Sequence, residues 1–117
     1  MTLDIFLATL TTSPDKIEFT DTMTVIESLY DFIPTQFSNG DETNLAGDNN
    51  GSCKIFAFGL AQDLTQQQTL ACFGRYYRDD VLANPKGNDH PNIRHFIDSG
   101  WQGISFKGQA LAVKEMS

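Results

Sequence analysis

The residue best suited to nucleophilic chemistry in this chain is Cys53. It follows the turn-rich stretch Gly47-Asp48-Asn49-Asn50-Gly51-Ser52 and precedes the bulky run from Lys54 to Leu60. If that run is a helix capped by Ser52, Cys53 lies in its first turn. There the helix dipole and free backbone N–H groups stabilise a thiolate, and Lys54 adds positive charge. The same N–H groups could serve as an oxyanion hole, and His90 or His95 could supply the base, with Asp89 orienting His90. That constellation would make a thiol-dependent hydrolase or transferase. The competing reading is a small buried cysteine packed beside Ile55 and Phe56, since free cysteine is among the most buried residue types. No local cysteine-protease signature surrounds it.

The loop ahead of Cys53 is the second candidate. Asn49, Asn50, Gly51 and Ser52 could present N–H groups to an anion ahead of a helix. The stretch lacks the alternating aspartates and terminal glutamate of a calcium loop. It also lacks the Gly-Lys-Ser/Thr ending of a phosphate loop, so an ordered turn is the simpler reading. His90 and His95 sit about 140° apart around a helix at ~3.6 residues per turn, too far to share one ion. Neither a metal nor a cofactor is therefore expected. Cys53 and Cys72 lack the CxxC spacing of redox and zinc sites and read as two reduced thiols. Tyr76 and Tyr77 with Trp101 could line a pocket, but aromatics at such spacing usually pack in a core. Arg75 and Arg78 read as the solvated face of their helix.

The elements that must position these groups follow from periodicity. Leu3, Phe6, Leu7 and Leu10 form a helical face that ends at Ser13-Pro14-Asp15. Thr20 or Asp21 can cap a second helix carrying Val25, Ile26, Leu29, Tyr30 and Ile33, stopped by Pro34. Asn39-Gly40 signals a hairpin turn of type I′. Residues 53–60 read as helix, with strand as the alternative. Thr65-Gln66-Gln67-Gln68 is a capping box that opens a helix over roughly Gln66 to Val81, striped by Leu70, Phe73, Tyr77 and Val81. Asp89 or His90 caps a last helix with Pro91 in its first turn and Gly100 at its end. A turn and a short strand follow over Trp101 to Gly108. The expectation is an α+β fold, mostly helical, with about five helices, one short hairpin and a short C-terminal strand.

A length of 117 residues, 40% of them hydrophobic and nine of them Phe, predicts one domain over residues 1–117 with its own core. The net charge of −7 is lopsided: residues 1–48 carry nine acids against one base, and residues 49–117 carry six acids against seven bases. Nucleic-acid binding needs clustered cations and is excluded by that balance. An acidic half could instead dock a basic protein partner, or simply confer solubility. No stretch suits a membrane span, and the amino terminus lacks the features of a secretory signal. A soluble cytoplasmic protein is expected.

Several blocks recur in one order: Phe19-Thr20-Asp21-Thr22-Met23-Thr24-Val25-Ile26-Glu27, Tyr30-Asp31-Phe32, Asn49-Asn50-Gly51-Ser52-Cys53-Lys54-Ile55-Phe56-Ala57-Phe58, Thr69-Leu70-Ala71-Cys72-Phe73-Gly74, Asp89-His90, Asn92-Ile93-Arg94 and Gly100-Trp101. With these the chain resembles the HopJ type III effector family over about residues 19 to 111. The family is named for a protein that plant-pathogenic bacteria inject into host cells, and similar chains occur in bacteria without an obvious injection role. The resemblance thus implies a bacterial protein and carries over no catalytic residues. It makes export through a type III system the alternative to a cytoplasmic location, with Thr2, Thr9, Thr11, Thr12 and Ser13 fitting a secretion segment as well as they fit a helix and turn. The leading expectation is a small acidic binding or interaction domain, taking a basic protein or a small ligand. The thiol enzyme built on Cys53 is the alternative.

Overall fold

The amino-terminal helix α1, Leu3–Thr12, is capped by Thr2, whose hydroxyl accepts from Ile5 N–H at 3.3 Å. In this computed structural model, residues 1–114 are described; the expected domain includes residues 115–117, which lie outside them. Phe6 and Leu10 of α1 are buried, and Pro14 ends the helix in a single tight turn. Helix α2, Phe19–Leu29, begins earlier than Thr20 or Asp21 would cap it: Asp21 sits inside the first turn, where its carboxylate accepts from Glu18 N–H at 3.0 Å. It also ends earlier than expected. Tyr30–Phe32 leaves the helix as strand β1, because Pro34 disfavours helical backbone ahead of it and a distant partner satisfies its backbone groups. That partner is β5, Leu111–Val113, paired antiparallel with Tyr30 opposite Val113 and Phe32 opposite Leu111.

The hairpin is present but shifted. Strands β2, Phe37–Asn39, and β3, Glu42–Asn44, pair with Asn39 opposite Glu42. The two turn residues are therefore Gly40 and Asp41, not Asn39 and Gly40, and Gly40 takes φ +61° as the first of them. Asp41 does not take positive φ, so the turn fits type II′ rather than I′. Asn39 is drawn into the strand because its side chain is committed to the interior, where it is fully buried. Strand β4, Ile104–Phe106, adds to the other side of β2, giving the antiparallel order β3-β2-β4.

Residues 53–60 are helical, within α3, Asn50–Gln62. The helix expected from Gln66 to Val81 is broken. The Thr65 capping box forms, with Thr65 Oγ1 accepting from Gln68 N–H at 3.1 Å and Gln68 Oε1 from Thr65 N–H at 3.0 Å. Helix α4 then ends at Ala71, and a π-helical segment, Tyr76–Val81, follows. The break is Gly74, at φ +60°, where a Cβ would stand 2.6 Å from the backbone nitrogen of Phe19. The apolar stripe runs through this position, but close approach of the chain at Phe19 and the left-handed backbone overrule it. Helix α5, Pro91–Ser99, is capped by His90 and terminated by Gly100 at φ +61°.

Phe56 of α3 is the hub of the core. Its ring lies 5.8 Å from that of Phe37 on β2, 5.7 Å from Phe73, 4.9 Å from Phe96 on α5 and 6.5 Å from Trp101. Such aromatic pairs add about 0.5–1.5 kcal/mol each beyond their buried area. The result is a mostly helical α+β fold in which α5 packs on β2, α3 lies against α2, α4 and β5, and the Phe56 ring reaches from α3 to both β2 and α5.

Candidate functional site

The amino termini of α3 and α5 open onto one cavity of about 300 Å³. Asn49, Gly51 and Ser52 of α3 form one wall, His90, Pro91, Asn92 and Ile93 of α5 another, and the rings of Phe19, Phe73 and Tyr76 the apolar remainder. Both helices begin in the same unusual way. The cap residues Asn49 and His90 have left-handed backbones, φ 55° and 49°, and neither supplies a side-chain cap. An α-helix leaves its first N–H groups without intrahelical partners, with a partial positive charge gathered there. Two such ends therefore face the cavity, although at α5 Pro91 has no N–H and Ile93 N–H donates to His90 O at 3.1 Å, so Asn92 N–H is what that end can offer.

The diversion of the caps has a structural cause. Asparagine is an excellent helix cap, yet Asn49 turns its amide away and donates from Nδ2 to Asn44 Oδ1 at 2.7 Å. Asn44, at the end of β3, is joined to Asn92 of α5 by a reciprocal pair: Asn44 Nδ2 to Asn92 Oδ1 at 3.2 Å and Asn92 Nδ2 to Asn44 Oδ1 at 2.9 Å. Asn39 of β2 completes the cluster, donating from Nδ2 to Asn92 O at 2.8 Å and Oδ1 at 3.0 Å. Asn39, Asn44 and Asn92 are buried. The β2–β3 hairpin thus clamps both helix ends, and its reach depends on Gly40, where a Cβ would meet Ser99 Oγ at 2.7 Å.

Glycine serves the apolar wall in the same manner. A Cβ on Gly51 would stand 2.9 Å from Phe19 Cζ, so a side chain there would displace the ring. Phe19 in turn packs edge-on against Tyr76 at 5.1 Å, and Tyr76 lies 5.1 Å from the His90 ring.

The expectation of an open thiolate at Cys53 is corrected. The helix starts at Asn50, so Cys53 falls beyond the first free N–H groups, and its own N–H already donates to Asn49 O at 3.0 Å. Ser52, the expected cap, is inside the helix. The Cys53 side chain is 1% exposed and its sulfur bonds to the Thr35 carbonyl at 3.5 Å. Burial pushes the thiol above its ordinary value, with a smaller opposing contribution from the Thr35 backbone. Lys54 is spent on Glu27, 3.5 Å away, and lies over the Phe32 ring. Cys72 is also buried, with its thiol pushed up to about 12.

The two histidines part company, as their spacing predicts. His95 lies 3.7 Å from Glu42, whereas His90 Nε2 lies 2.9 Å from Asp80 Oδ2 and 3.9 Å from Asp89 Oδ2. Asp89 and His90 are brought together as expected, but beside Asp80 rather than Cys53. A hydrogen bond from Arg94, and the charges of Arg94 and His90, hold the Asp89 carboxyl below its ordinary range. Trp101 is not in the cavity: its Nε1–H donates to Leu64 O at 2.9 Å and its ring packs on Phe96 at 5.0 Å. Tyr77 lines a separate groove with Leu10 and Leu82. Arg78 is less solvated than its helix face suggested, donating to Ile17 O at 2.7 Å and Glu18 at 3.1 Å. Sequence reasoning missed Asn39, Asn44, Asn92 and Asp80 as site residues; the density of asparagine between residues 39 and 50 is a visible signal for the first two alone.

A family model described as HopJ type III effector protein matches residues 3–111. The solved crystal structure of the unknown-function protein VPA0580 is similar with a TM-score of 0.95 and 58% identity, covering 97% of this chain and 95% of its own. No curated protein matches the chain.

Proposed function

The chain belongs to the HopJ type III effector protein family, and we propose that it acts as a small binding domain holding an organic anion in the cavity between α3 and α5. The observation that supports this is the convergence of two helix amino termini, neither with a side-chain cap, on one aromatic-walled space. Backbone N–H groups at helix starts favour carboxylate or phosphate, and the rings of Phe19, Phe73 and Tyr76 suit a flat apolar group attached to it. Asn49, Gly51 and Ser52 of the expected ligand loop lie in the wall. We place this activity in the cytoplasm, with type III export as the competing location; deleting residues 1–15 from a secreting strain separates the two.

Phenyl phosphate is a suitable probe, and Ser52→Asp a suitable variant. Ser52 is in the first turn of α3, where a carboxylate satisfies the dipole without harming the helix but repels an incoming anion. The probe is expected to raise the melting temperature of the native chain and leave that of Ser52→Asp unchanged. Equal shifts in both proteins, or none in either, would count against the reading.

A second reading rests on charge: residues 1–48 carry nine acids and one base, which suits a basic protein partner. The thiol enzyme draws no support from a sulfur that is 1% exposed.

A further inference from the structure

Asp80, Asp89 and His90 each offer a ligand atom, and the three atoms lie within 4.8 Å of one another, with His90 also lining the cavity. We propose that they form a binding site for a divalent first-row transition metal. The inference does not rest on the anion reading, since it uses different atoms and a different probe.

Donors about 2.1 Å from one ion stand roughly 3.0 Å apart at right angles and about 3.4 Å apart at tetrahedral angles. His90 Nε2 and Asp80 Oδ2 are hydrogen-bonded at 2.9 Å, a spacing that an ion replacing the shared proton would keep, and Asp89 Oδ2 is 3.9 Å from the same nitrogen. Both aspartates are about half exposed, so their side chains have room to rotate toward a shared ion. One imidazole with two carboxylates suits zinc or manganese better than magnesium, which prefers oxygen and retains its water.

The ligands are also held. His90 is fixed by the start of α5, its carbonyl accepting from Ile93 N–H at 3.1 Å and Arg94 N–H at 3.2 Å, and by its ring contact with Tyr76. Arg94 occupies Asp89 Oδ1, which leaves Oδ2 turned toward the imidazole. Outer partners of this kind orient metal ligands. Three protein ligands leave further coordination positions, the arrangement of a site that admits another molecule. His90 is shared between the metal cluster and the cavity wall.

Calorimetric titration of the chelator-treated full chain with zinc chloride tests the site. One equivalent is expected to bind, with excess magnesium failing to displace it. Asp80→Asn and His90→Gln are each expected to weaken binding by at least about tenfold, while His95→Gln at the separate Glu42 pair leaves it within about twofold. Unchanged circular dichroism keeps the Asp80→Asn result meaningful if His90→Gln disturbs the left-handed cap. No zinc binding by the native chain overturns the proposal. So does binding that survives both substitutions or is lost only in His95→Gln. Zinc binding with no phenyl phosphate effect would leave this site standing and remove the anion reading alone.

Discussion

Asn44 on β3 and Asn92 on α5 exchange side-chain hydrogen bonds in both directions, at 3.2 Å and 2.9 Å, in the buried interior. Through this pair the hairpin fixes where α5 begins, and through Asn49 it fixes where α3 begins. The cavity is therefore a consequence of the asparagine cluster rather than of the two helices alone.

Asn92→Ala should cost about 3 kcal/mol, because it strips the partner from the buried Asn44 Nδ2 and weakens the attachment of Asn39. Asn50→Ala, at an exposed position at the start of α3, should change stability by less than about 0.5 kcal/mol. Urea unfolding of both variants checks the contrast. Similar midpoints would show that the cluster is not what holds the helix ends.

That cluster also marks where sequence reading runs out. α1, the helical character of 53–60, the Thr65 capping box and the Pro91–Ser99 helix were legible because their signals are local: periodicity, caps and terminating residues. The pairing of Tyr30–Phe32 with Leu111–Val113 joins segments distant in the chain, so local stripe matching extended α2 too far. Gly74 lies inside the helix expected over Gln66 to Val81, and the contact with Phe19 that breaks it comes from a segment distant in the chain. The loop at 49–52 was visible as turn formers ahead of a helix, but Asn39 was absorbed by the turn signal of Asn39-Gly40. Its true commitment, to Asn92, spans the fold.

Neither cysteine should react in the folded protein. Burial raises both thiols, Cys72 to about 12, so the thiolate is scarce at neutral pH and the sulfur shielded. Iodoacetamide labelling followed by mass spectrometry should be slow under native conditions and complete in denaturant. Rapid native alkylation of Cys53, with an apparent value below the free-cysteine ~8.5, would restore a reactive thiol.

Arg94→Gln should bring the Asp89 carboxyl back up toward its ordinary range, since the Arg94 hydrogen bond is the largest cause of its depression. The sign follows from linkage. An acid whose folded value is lowered adds stability above its unfolded value of ~3.9, and loses it as pH falls through the folded value. The pH-dependent part of the gap between native and Arg94→Gln proteins should thus be present at neutral pH and close below about pH 4. Carbon-detected NMR titration of the Asp89 carboxyl reads the shift directly, and an unchanged titration would contradict the assignment.

Amide NMR shifts on titration with phenyl phosphate locate where a small anion binds. Shifts concentrated at Gly51, Ser52, Asn92 and Ile93, with the Tyr77 groove silent, are the predicted result. Shifts spread over the basic side chains elsewhere, or confined to the Tyr77 groove, would contradict it.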